Sequence, residues 1–260
     1  MVSDTNELGQ LLLRRTQCLR SLATDPQSKR SLVDHLDIPR STLDGIMREL
    51  EKANLVSRSN GKWHVTHLGQ CSLQVHEQYR SQLDSLTNVS SVTDALPLDN
   101  PVPCDFLIGA DVYEPDPAVP DDMIQILLES IDDATQIRGF TPIAISAHTK
   151  PIYTRATAGD NYNVELLVPT NVFKRLRTMY PNQSDDALSD PQVSLLCGPI
   201  PVSFGLWIAD NRHTGIIVYA DHGVLGLIIN DTPEALTWAE NQYERVRQDA
   251  DPISLLDSFH

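Results

Sequence analysis

The chain has 260 residues, of which 41% are hydrophobic and 6% aromatic, and its formal net charge is −15. This apolar fraction is too high for a disordered chain. No apolar run approaches the roughly 18–20 residues that a membrane span needs, and the first residues lack the pattern of a signal peptide. Four widely spaced cysteines argue against a disulfide framework or a zinc ribbon. The sequence therefore predicts a cytoplasmic protein of one large or two smaller domains.

The acidity has a particular composition and an uneven distribution. Asp outnumbers Glu by 25 to 10, and Arg outnumbers Lys by 15 to 5. This usage resembles that of halophilic archaea, in which strongly hydrated carboxylates keep proteins soluble in concentrated salt. Residues 1–90 carry a net charge of +1, and residues 91–260 carry −16. Such asymmetry indicates that the first part approaches a polyanion and that the second part is repelled by it.

Residues 1–66 show the pattern of a winged helix-turn-helix. Leucines at helical spacing predict a first helix, a short second helix fits Ser28–Leu36, and a third helix begins at Ser41, whose hydroxyl is a candidate cap. Two segments in which apolar and polar residues alternate then flank Asn60-Gly61, a dipeptide that suits the positive φ angles of a type I′ hairpin turn. Three helices followed by a two-stranded hairpin are typical of this DNA-binding fold.

Four short segments of this part carry a family resemblance, and they cover the second and third helices and the first strand of the wing. They are residues 31–36 (SLVDHL), 39–43 (PRSTL), 48–51 (RELE) and 55–56 (LV). In these segments the chain resembles archaeal winged-helix regulators. In such a fold the third helix lies in the major groove, with its N-terminal turn facing the base edges.

The candidate DNA contacts are the early residues of the third helix and the basic residues of the wing. Glycine leaves room for a close approach of the helix to the duplex, and the cationic side chains suit phosphates or base edges. The alternative is a solvated face, on which Arg48 and Lys52 pair with nearby acidic residues, or a protein-interaction module. The predicted DNA-binding residues are Arg40, Ser41, Thr42, Gly45, Arg48, Arg58 and Lys62.

Residues 67–103 are predicted as a long connecting helix followed by a linker at Thr87–Pro103, which is rich in Ser, Asn and Pro. Apolar residues of the helix step by three and four, as in a coiled coil. Both packing within the chain and a dimer seam explain this stripe. We favour a homodimer, because it places two recognition helices one DNA turn apart on a palindromic operator. The stripe comprises Leu68, Cys71, Val75, Tyr79, Leu83 and Leu86.

In residues 104–260, strand-like and helix-like segments alternate, and several closely spaced strands follow them. The pattern begins with an apolar strand at Asp105–Gly109 and ends with a helix that Thr232 caps and Pro233 starts. Such an order predicts a three-layer α/β domain with a mixed sheet. The chain as a whole is thus predicted to be α+β, with a connecting helix between a winged helix-turn-helix and an α/β effector or dimerisation domain.

Five segments of this second part carry a further resemblance. They are residues 138–142 (RGFTP), 164–168 (VELLV), 204–206 (FGL), 223–227 (GVLGL) and 233–240 (PEALTWAE). In these segments the chain resembles the effector domain of FilR-type methanogenesis regulators, an archaeal family related to the sugar-responsive TrmB-like regulators. The resemblance implies a sheet related to phospholipase-D-like folds that serves in sensing and not in hydrolysis.

A phospholipase-D-like hydrolase is one alternative function, because that chemistry needs His-x-Lys-x4-Asp. His148-Thr149-Lys150 supplies the first part, but Arg155 stands where the acid is required. No Gly-rich phosphate loop or nucleophile elbow is present in the sequence. The sequence therefore predicts no catalytic residue and no enzyme.

A metal-responsive regulator is the other alternative. His64, His67 and Cys71 are close in sequence, and the last two are four residues apart on one helical face. Histidines of the wing and of the helix surface explain the same pattern. The sequence therefore predicts no metal site and no cofactor.

An effector pocket is expected beyond the carboxyl ends of the strands. A domain that takes no ligand and serves only for dimerisation is the alternative. The function predicted from the sequence is that of a sequence-specific transcriptional regulator, which binds double-stranded DNA as a homodimer and takes a metabolite as a candidate effector. The candidate effector-binding residues are Asp111, Tyr113, Ser146, His148, Thr170 and Trp207.

Overall fold

The computed structural model of the chain describes residues 4–96, 102–116, 118, 122–132, 134–143, 146–157, 162–220 and 223–253, with the backbone alone at 146–150. The chain divides into two compact units, Met1–Asp84 and Ser85–His260. None of the helices within the described ranges is long and apolar enough to cross a membrane.

The first unit has three helices, a small sheet and most of a fourth helix. The hairpin turn has the predicted geometry, because Asn60 and Gly61 have φ angles of 50° and 74°. The three-stranded antiparallel sheet has the order β1-β3-β2. The order of helices and hairpin is the one that the sequence predicts. The elements are α1 (Thr5–Thr24), β1 (Gln27–Ser28), α2 (Lys29–Leu36), α3 (Arg40–Lys52), β2 (Val56–Ser59), β3 (Lys62–Val65) and α4 (His67–Asn88).

Helix α3 begins one residue earlier than predicted, and its predicted cap is wrong. The residue before the helix is Pro39, with φ −58° and ψ 143°, and no side chain caps the helix. The ring of Pro39 fixes φ near the helical value, and its carbonyl accepts the first helical hydrogen bond from the backbone N–H of Leu43 at 3.0 Å. Ser41 therefore lies within the first turn, and its side chain is exposed.

Helix α4 packs on the first unit by a face other than its apolar stripe. Gly69 lies so close to the wing that a Cβ atom there would stand 2.1 Å from the carbonyl oxygen of Leu55. The buried side chains Leu73 and His76 continue this face. The predicted stripe points elsewhere, and four of its members are 43–64% exposed: Leu68, Val75, Tyr79 and Leu83.

The second unit contains an eight-stranded mixed sheet of order β11-β7-β6-β5-β8-β9-β10-β4. The three strands β5, β6 and β7 are parallel, and the other pairs are antiparallel. The strands are β4 (Asp111–Tyr113), β5 (Gln136–Phe140), β6 (Asn163–Val168), β7 (Val193–Cys197), β8 (Gly205–Ala209), β9 (His213–Ala220), β10 (Gly223–Asn230) and β11 (Asp251–Pro252). The helices are α5 (Ser90–Thr93), α6 (Cys104–Leu107), α7 (Asp122–Ser130), α8 (Ser146–Ala156), α9 (Thr170–Met179), α10 (Pro181–Ser189) and α11 (Pro233–Arg247).

Helices cover both faces of this sheet, which confirms the predicted three layers. On one face, Ala239 and Tyr243 of α11 are fully buried in a core cluster that includes Ile208 and Ile216. On the opposite face, α7 and α8 pack over a second cluster that includes Trp207. Alternate residues of each strand therefore point into different cores, as a pleated sheet requires.

The predicted strand Asp105–Gly109 is wrong, since residues Cys104–Leu107 form helix α6 and β4 begins only at Asp111. The apolar character that suggests a strand serves helix packing instead: Phe106 is fully buried. Its carbonyl oxygen accepts a hydrogen bond from the side-chain amide of Asn230 at 2.8 Å. A single apolar turn and a short buried strand have the same periodicity, so sequence alone does not separate them.

The predicted linker is partly a core element. Val89 and Val92 are each 1% exposed and belong to the core cluster of the second unit. Residues 97–101 of the predicted linker lie outside the described part of the chain. The start of this segment therefore packs as part of the α/β unit.

Candidate nucleic-acid interface and effector cavity

The first turn of α3 carries polar side chains outward. Arg40, Ser41 and Thr42 are exposed, whereas Leu43 and Leu50, on the other face of the helix, are fully buried. Because no side chain caps this helix, its first backbone N–H groups remain available for an anion. Both the side chains and the backbone of this turn therefore suit a nucleic acid.

Nothing in the described structure requires a glycine at position 45. It lies inside α3, where glycine costs about 0.5–1 kcal/mol relative to alanine, and a Cβ atom at this position would meet nothing within 4 Å. Its φ angle is not among the positive ones. The free space in front of Gly45 is therefore available to a close external surface.

The acidic neighbours of Arg48 have other partners. The carboxylate of Asp44 pairs with Lys29, whose hydrogen bond holds the pKa of that carboxyl below its ordinary value. Glu49 pairs with Arg15 at 3.0 Å. Arg48 instead donates from Nε to the backbone carbonyl of Asp44 at 3.1 Å. Among the described residues, Arg48 thus forms no salt bridge with either neighbouring carboxylate.

The wing, which is the hairpin of β2 and β3, carries two exposed cationic side chains. Arg58 of β2 lies opposite Trp63 of β3, with its guanidinium carbon 5.9 Å from the indole ring centroid. Lys62 is exposed at the start of β3. No ion pair of Arg40, Arg58 or Lys62 occurs among the described residues. All seven predicted DNA-binding residues thus lie on α3 or the wing, and none is buried.

The residues considered for a metal do not form a site. His67 and Cys71 are one turn apart on α4, with 3.7 Å between Nε2 and Sγ, and His64 lies on β3. Within the described ranges, no group of three or more His, Cys, Asp or Glu side chains is arranged to hold a metal ion.

The second unit contains an apolar cavity of about 250 Å³. It lies between the sheet and the helices α7, α8, α9 and α10. Its walls are mostly aliphatic and aromatic, and the strands contribute from their middles as well as from their ends. Among the lining residues are Met123, Leu127, Ile152, Ala156, Phe173, Leu176, Ala187, Val164, Leu166, Leu195, Ile217, Val224 and Leu227.

Trp207 of β8 is the largest side chain in the cavity wall, and two glycines flank it. Gly139 of β5 and Gly215 of β9 are its register partners on either side. A Cβ atom at Gly215 would lie 2.2 Å from the indole carbons Cζ2 and Cη2. Trp207 is 5% exposed, and its Nε1–H has no hydrogen-bond partner in the described structure. Such an unpaired buried donor is uncommon and costly.

A second polar group of the wall is already satisfied. Thr141 donates its hydroxyl proton to the carbonyl of Ile143 at 2.5 Å, so Tyr219 is the donor in the 2.7 Å contact between its OH and Thr141 Oγ1. Burial raises the pKa of Tyr219 to about 12. The tyrosine is therefore neutral at physiological pH.

The opposite face of the sheet carries an ionic network. Glu165 of β6 accepts hydrogen bonds from Tyr243 at 2.5 Å and from Arg247 Nε at 2.8 Å. Burial opposes ionisation of Glu165, but the hydrogen bonds from Arg247 and Tyr243 outweigh it and hold the pKa of Glu165 below its ordinary value. Arg138 of β5 pairs with Glu240 of α11. These contacts hold α11 on the sheet.

Of the predicted effector residues whose side chains the structure describes, only Trp207 lines the cavity. Asp111 is exposed on β4, Tyr113 is half-buried on the same strand, and Thr170 is the exposed first residue of α9. The side chains of Ser146 and His148 lie outside the described part of the chain. The cavity lies over one face of the sheet, whereas the sequence predicts a pocket beyond the strand ends.

Comparison with protein families agrees with this architecture. The family model described as methanogenesis regulatory protein FilR1, middle domain, matches residues 120–249, which is half of the chain. The chain belongs to the FilR1 family. The HVO_A0261 N-terminal domain matches residues 5–88. The resemblance predicted from sequence is confirmed, and membership supports a DNA-binding regulator as the general class.

Solved structures give more distant similarities. TrmBL2, an archaeal chromatin protein with a novel mode of DNA binding, is 12% identical, with 96% of this chain and 100% of that chain covered and a TM-score of 0.43. Nuc from Salmonella typhimurium, a phospholipase D family member, is 12% identical, with 56% and 99% covered and a TM-score of 0.38. NucT from Helicobacter pylori is 13% identical, with 55% and 98% covered and a TM-score of 0.40. No curated protein matches the chain.

Proposed function

We propose that this FilR1-family protein is a sequence-specific transcriptional regulator that binds double-stranded DNA as a homodimer and is not an enzyme. The observation that carries the proposal is the first turn of α3, where Arg40, Ser41 and Thr42 are exposed on an uncapped helix start. The glycine one turn further, Gly45, has open space in front of it. These features fit insertion of α3 into a major groove.

The distribution of charge along the chain also supports DNA binding through the first unit. Residues 1–90 have a net charge of +1 and the remainder −16, so the acidic unit is repelled by phosphates while the first unit is not. At about 1 M salt the Debye length is only ~3 Å, and the gain from counterion release becomes small. In concentrated salt, recognition therefore depends on base contacts and on two-site binding more than on a broad basic patch.

The second protomer is proposed to dock on the apolar stripe of α4. Val75 and Tyr79 are 64% and 58% exposed, on a helix whose other face already packs on the wing. Apolar residues in this spacing pair with an equivalent helix in a coiled-coil manner. A two-fold axis there gives two recognition helices and hence a palindromic operator.

The cavity of the second unit is proposed as the effector site, with a metabolite as its ligand. A ligand acts on transcription only if it favours one arrangement of the two DNA-binding units over another. The apolar space of about 250 Å³ gives such a ligand a place to bind, and its occupation changes the packing of α7–α10 on the sheet.

The test of DNA binding begins with an operator selected by the full chain from random duplexes. Arg40→Ala and Thr42→Ala each remove one candidate base contact, and a good bidentate contact discriminates by about 1–3 kcal/mol. We expect a loss of roughly 5- to 150-fold for Arg40→Ala and a smaller loss for Thr42→Ala, in fluorescence anisotropy titrations. Arg245→Ala, an exposed arginine on α11, is the matched control. Unchanged affinity in both α3 variants would overturn the placement of α3.

The test of the dimer seam is analytical ultracentrifugation. Val75→Glu combined with Tyr79→Glu places two charges in the proposed seam and should convert dimers to monomers. Leu13→Glu, at a 67% exposed position of α1, is the control for an exposed apolar residue elsewhere in the unit. A dimer that survives the double substitution and dissociates with the control would place the seam outside α4.

A further inference from the structure

We infer that Arg48 of α3 recognises one guanine of the operator, and that Lys29 of α2 keeps Arg48 available by binding the carboxylate of Asp44. The inference deepens the proposed function and rests on it. It depends on three observations: the position of Arg48 on α3, the direction of its side chain, and the salt bridge of the acidic residue one turn before it.

Arg48 lies on the face of α3 that is opposite the core. The four buried residues of this helix are three and four positions apart and form its inner face. When α3 lies in the major groove, the opposite row faces the floor of the groove, where the base edges are. A Cβ atom at Gly45 would meet nothing within 4 Å, so the glycine lets this row come close to the bases. The row comprises Ser41, Gly45, Arg48 and Lys52.

The side chain of Arg48 is already oriented. Its Nε–H donates to the backbone carbonyl of Asp44 at 3.1 Å, so the side chain runs back toward the N-terminal end of the helix. An arginine has five N–H donors, and the four on Nη1 and Nη2 are left after this bond. In the major groove only guanine presents two neighbouring acceptors, O6 and N7, on one base. The two terminal nitrogens of Arg48 match this pair of acceptors, so Arg48 selects guanine over the other three bases.

Asp44 is the acidic residue best placed to bind Arg48. An acid four positions before a cation is the favourable order for an ion pair on a helix, and the charges of Arg40 and Arg48 both act on this carboxylate. Lys29, the first residue of α2, forms the salt bridge with Asp44 instead. Its hydrogen bond is the largest cause that holds the pKa of Asp44 below its ordinary value. Lys29 is therefore a positioning residue, which leaves the terminal nitrogens of Arg48 to the duplex.

A series of base substitutions tests the recognition of guanine. The full chain selects an operator from random duplexes, and each G·C pair of one half-site is then replaced by A·T. We expect one such replacement to weaken binding of the wild type by roughly 5- to 150-fold and to leave binding of Arg48→Ala unchanged, in fluorescence anisotropy titrations. Lys52→Ala, at an exposed position of the same row, is the matched control and should keep the preference.

Two results of this series would overturn the recognition of guanine by Arg48. One is a guanine preference that survives Arg48→Ala at every position of the half-site. The other is a selected half-site in which no replacement of a G·C pair weakens binding of the wild type.

The role of Lys29 is measured as the ratio of the affinities for the selected duplex and for the duplex with the critical A·T replacement. Without Lys29, Asp44 is free to pair with Arg48, and a surface pair of this kind is worth roughly a 2- to 5-fold change. Lys29→Ala should therefore lower the ratio by about this factor, and Asp44→Ala added to it should restore the ratio. Arg30→Ala removes the neighbouring exposed cation of α2 and, as the matched control, should leave the ratio unchanged.

A phosphate contact gives a different result, because its loss weakens binding to all duplexes alike. A ratio that Lys29→Ala leaves unchanged would overturn the positioning role of Lys29. A lowered ratio that Asp44→Ala does not restore would overturn it as well.

The outcomes separate this inference from the proposed function. A selection that enriches no sequence overturns the proposed function and this inference together. An operator that the wild type binds specifically, with a guanine preference that is intact in Arg48→Ala, overturns this inference alone and leaves the regulator.

Discussion

The two units bury their apolar residues in opposite ways. In the first unit, α3 contributes leucines that are fully buried against α1, α2 and the wing, and its exposed residues are polar or charged. In the second unit, one face of the sheet is closely packed under α11, while the other keeps a cavity of about 250 Å³. The close packing of the first unit suits the rigid surface that the proposed DNA binding requires, and the unfilled volume of the second unit suits the proposed effector site.

The largest effect that tests this comparison is expected from two matched truncations in the cores. Leu43 and Leu227 are 0% and 1% exposed, but Leu227 borders the cavity. Leu→Ala in a tight core costs about 2–5 kcal/mol and depends on the surrounding packing. We expect Leu43→Ala near the upper end and Leu227→Ala near the lower end, in urea unfolding followed by hydrogen exchange of peptides from each unit. Equal costs would mean that both cores are packed alike.

The next effect contrasts an ion pair on each unit. Glu165→Gln removes a carboxylate that binds both Tyr243 and Arg247, and the side chain of Glu165 is 18% exposed. Glu49→Gln removes a carboxylate that pairs with Arg15, and the side chain of Glu49 is 46% exposed. Hydrogen bonds to charged groups contribute roughly 1.5–3 kcal/mol, while surface pairs contribute about 0–1 kcal/mol. We expect a melting temperature lower by several degrees for Glu165→Gln and by about one degree or less for Glu49→Gln.

The pH dependence of this difference has a defined sign. Because the folded protein lowers the pKa of Glu165, its stabilisation is complete above the ordinary carboxyl pKa of about 4.5 and is lost as the pH falls through the lowered folded value. The gap between wild type and Glu165→Gln should therefore close progressively below that pH in calorimetric scans. A gap that keeps its full size however far the pH is lowered would contradict a role for the ionised carboxylate.

A smaller effect separates stability from recognition within the first unit. Gly45→Ala and Gly9→Ala both add a methyl group to a helix where nothing lies within 4 Å. Each should stabilise the unit by about 0.5–1 kcal/mol. Only Gly45→Ala should weaken operator binding, because in the proposed complex its methyl group faces the DNA. Equal operator affinity in both variants would place Gly45 away from the duplex.

The smallest effect concerns salt. Lys62→Ala should reduce the slope of log affinity against log salt by about 0.9 per protomer, with a several-fold loss near 0.1 M that vanishes toward 1 M. Lys174→Ala, at an exposed position of α9, should leave the slope unchanged. An identical slope for wild type and Lys62→Ala would remove the wing lysine from the phosphate contacts.

The sequence predicts the architecture better than it predicts the site. Local signals locate α11, with its Thr232 cap, and the Asn60-Gly61 turn, because both depend on neighbours in sequence. The sequence does not predict helix α10, since the residues of this helix are mostly polar and only Ala187 among them is buried. The predicted strand at Asp105–Gly109 is wrong because a run of three apolar side chains fits either a strand or a helical turn.

Which residues line the cavity depends on how the strands pair, and a single sequence does not give the register of that pairing. Trp207 was predicted as an effector residue, but its flanking glycines, Gly139 and Gly215, were not, because they become its neighbours only through pairing of β5, β8 and β9. Tyr219 and Thr141 are 78 residues apart and meet in the same way. The common exposure of the early residues of α3 is easier to predict, because one helix positions all of them.

The two ends of the large sheet bear on how the protein behaves at high concentration. A long, flat outer strand with free backbone amides recruits other chains and starts aggregation. Here the eight-residue β10 is bordered by the three-residue β4, and β7 by the two-residue β11. Pro252 in that outermost strand carries no N–H. Edge-to-edge growth therefore has little template at either border of this sheet.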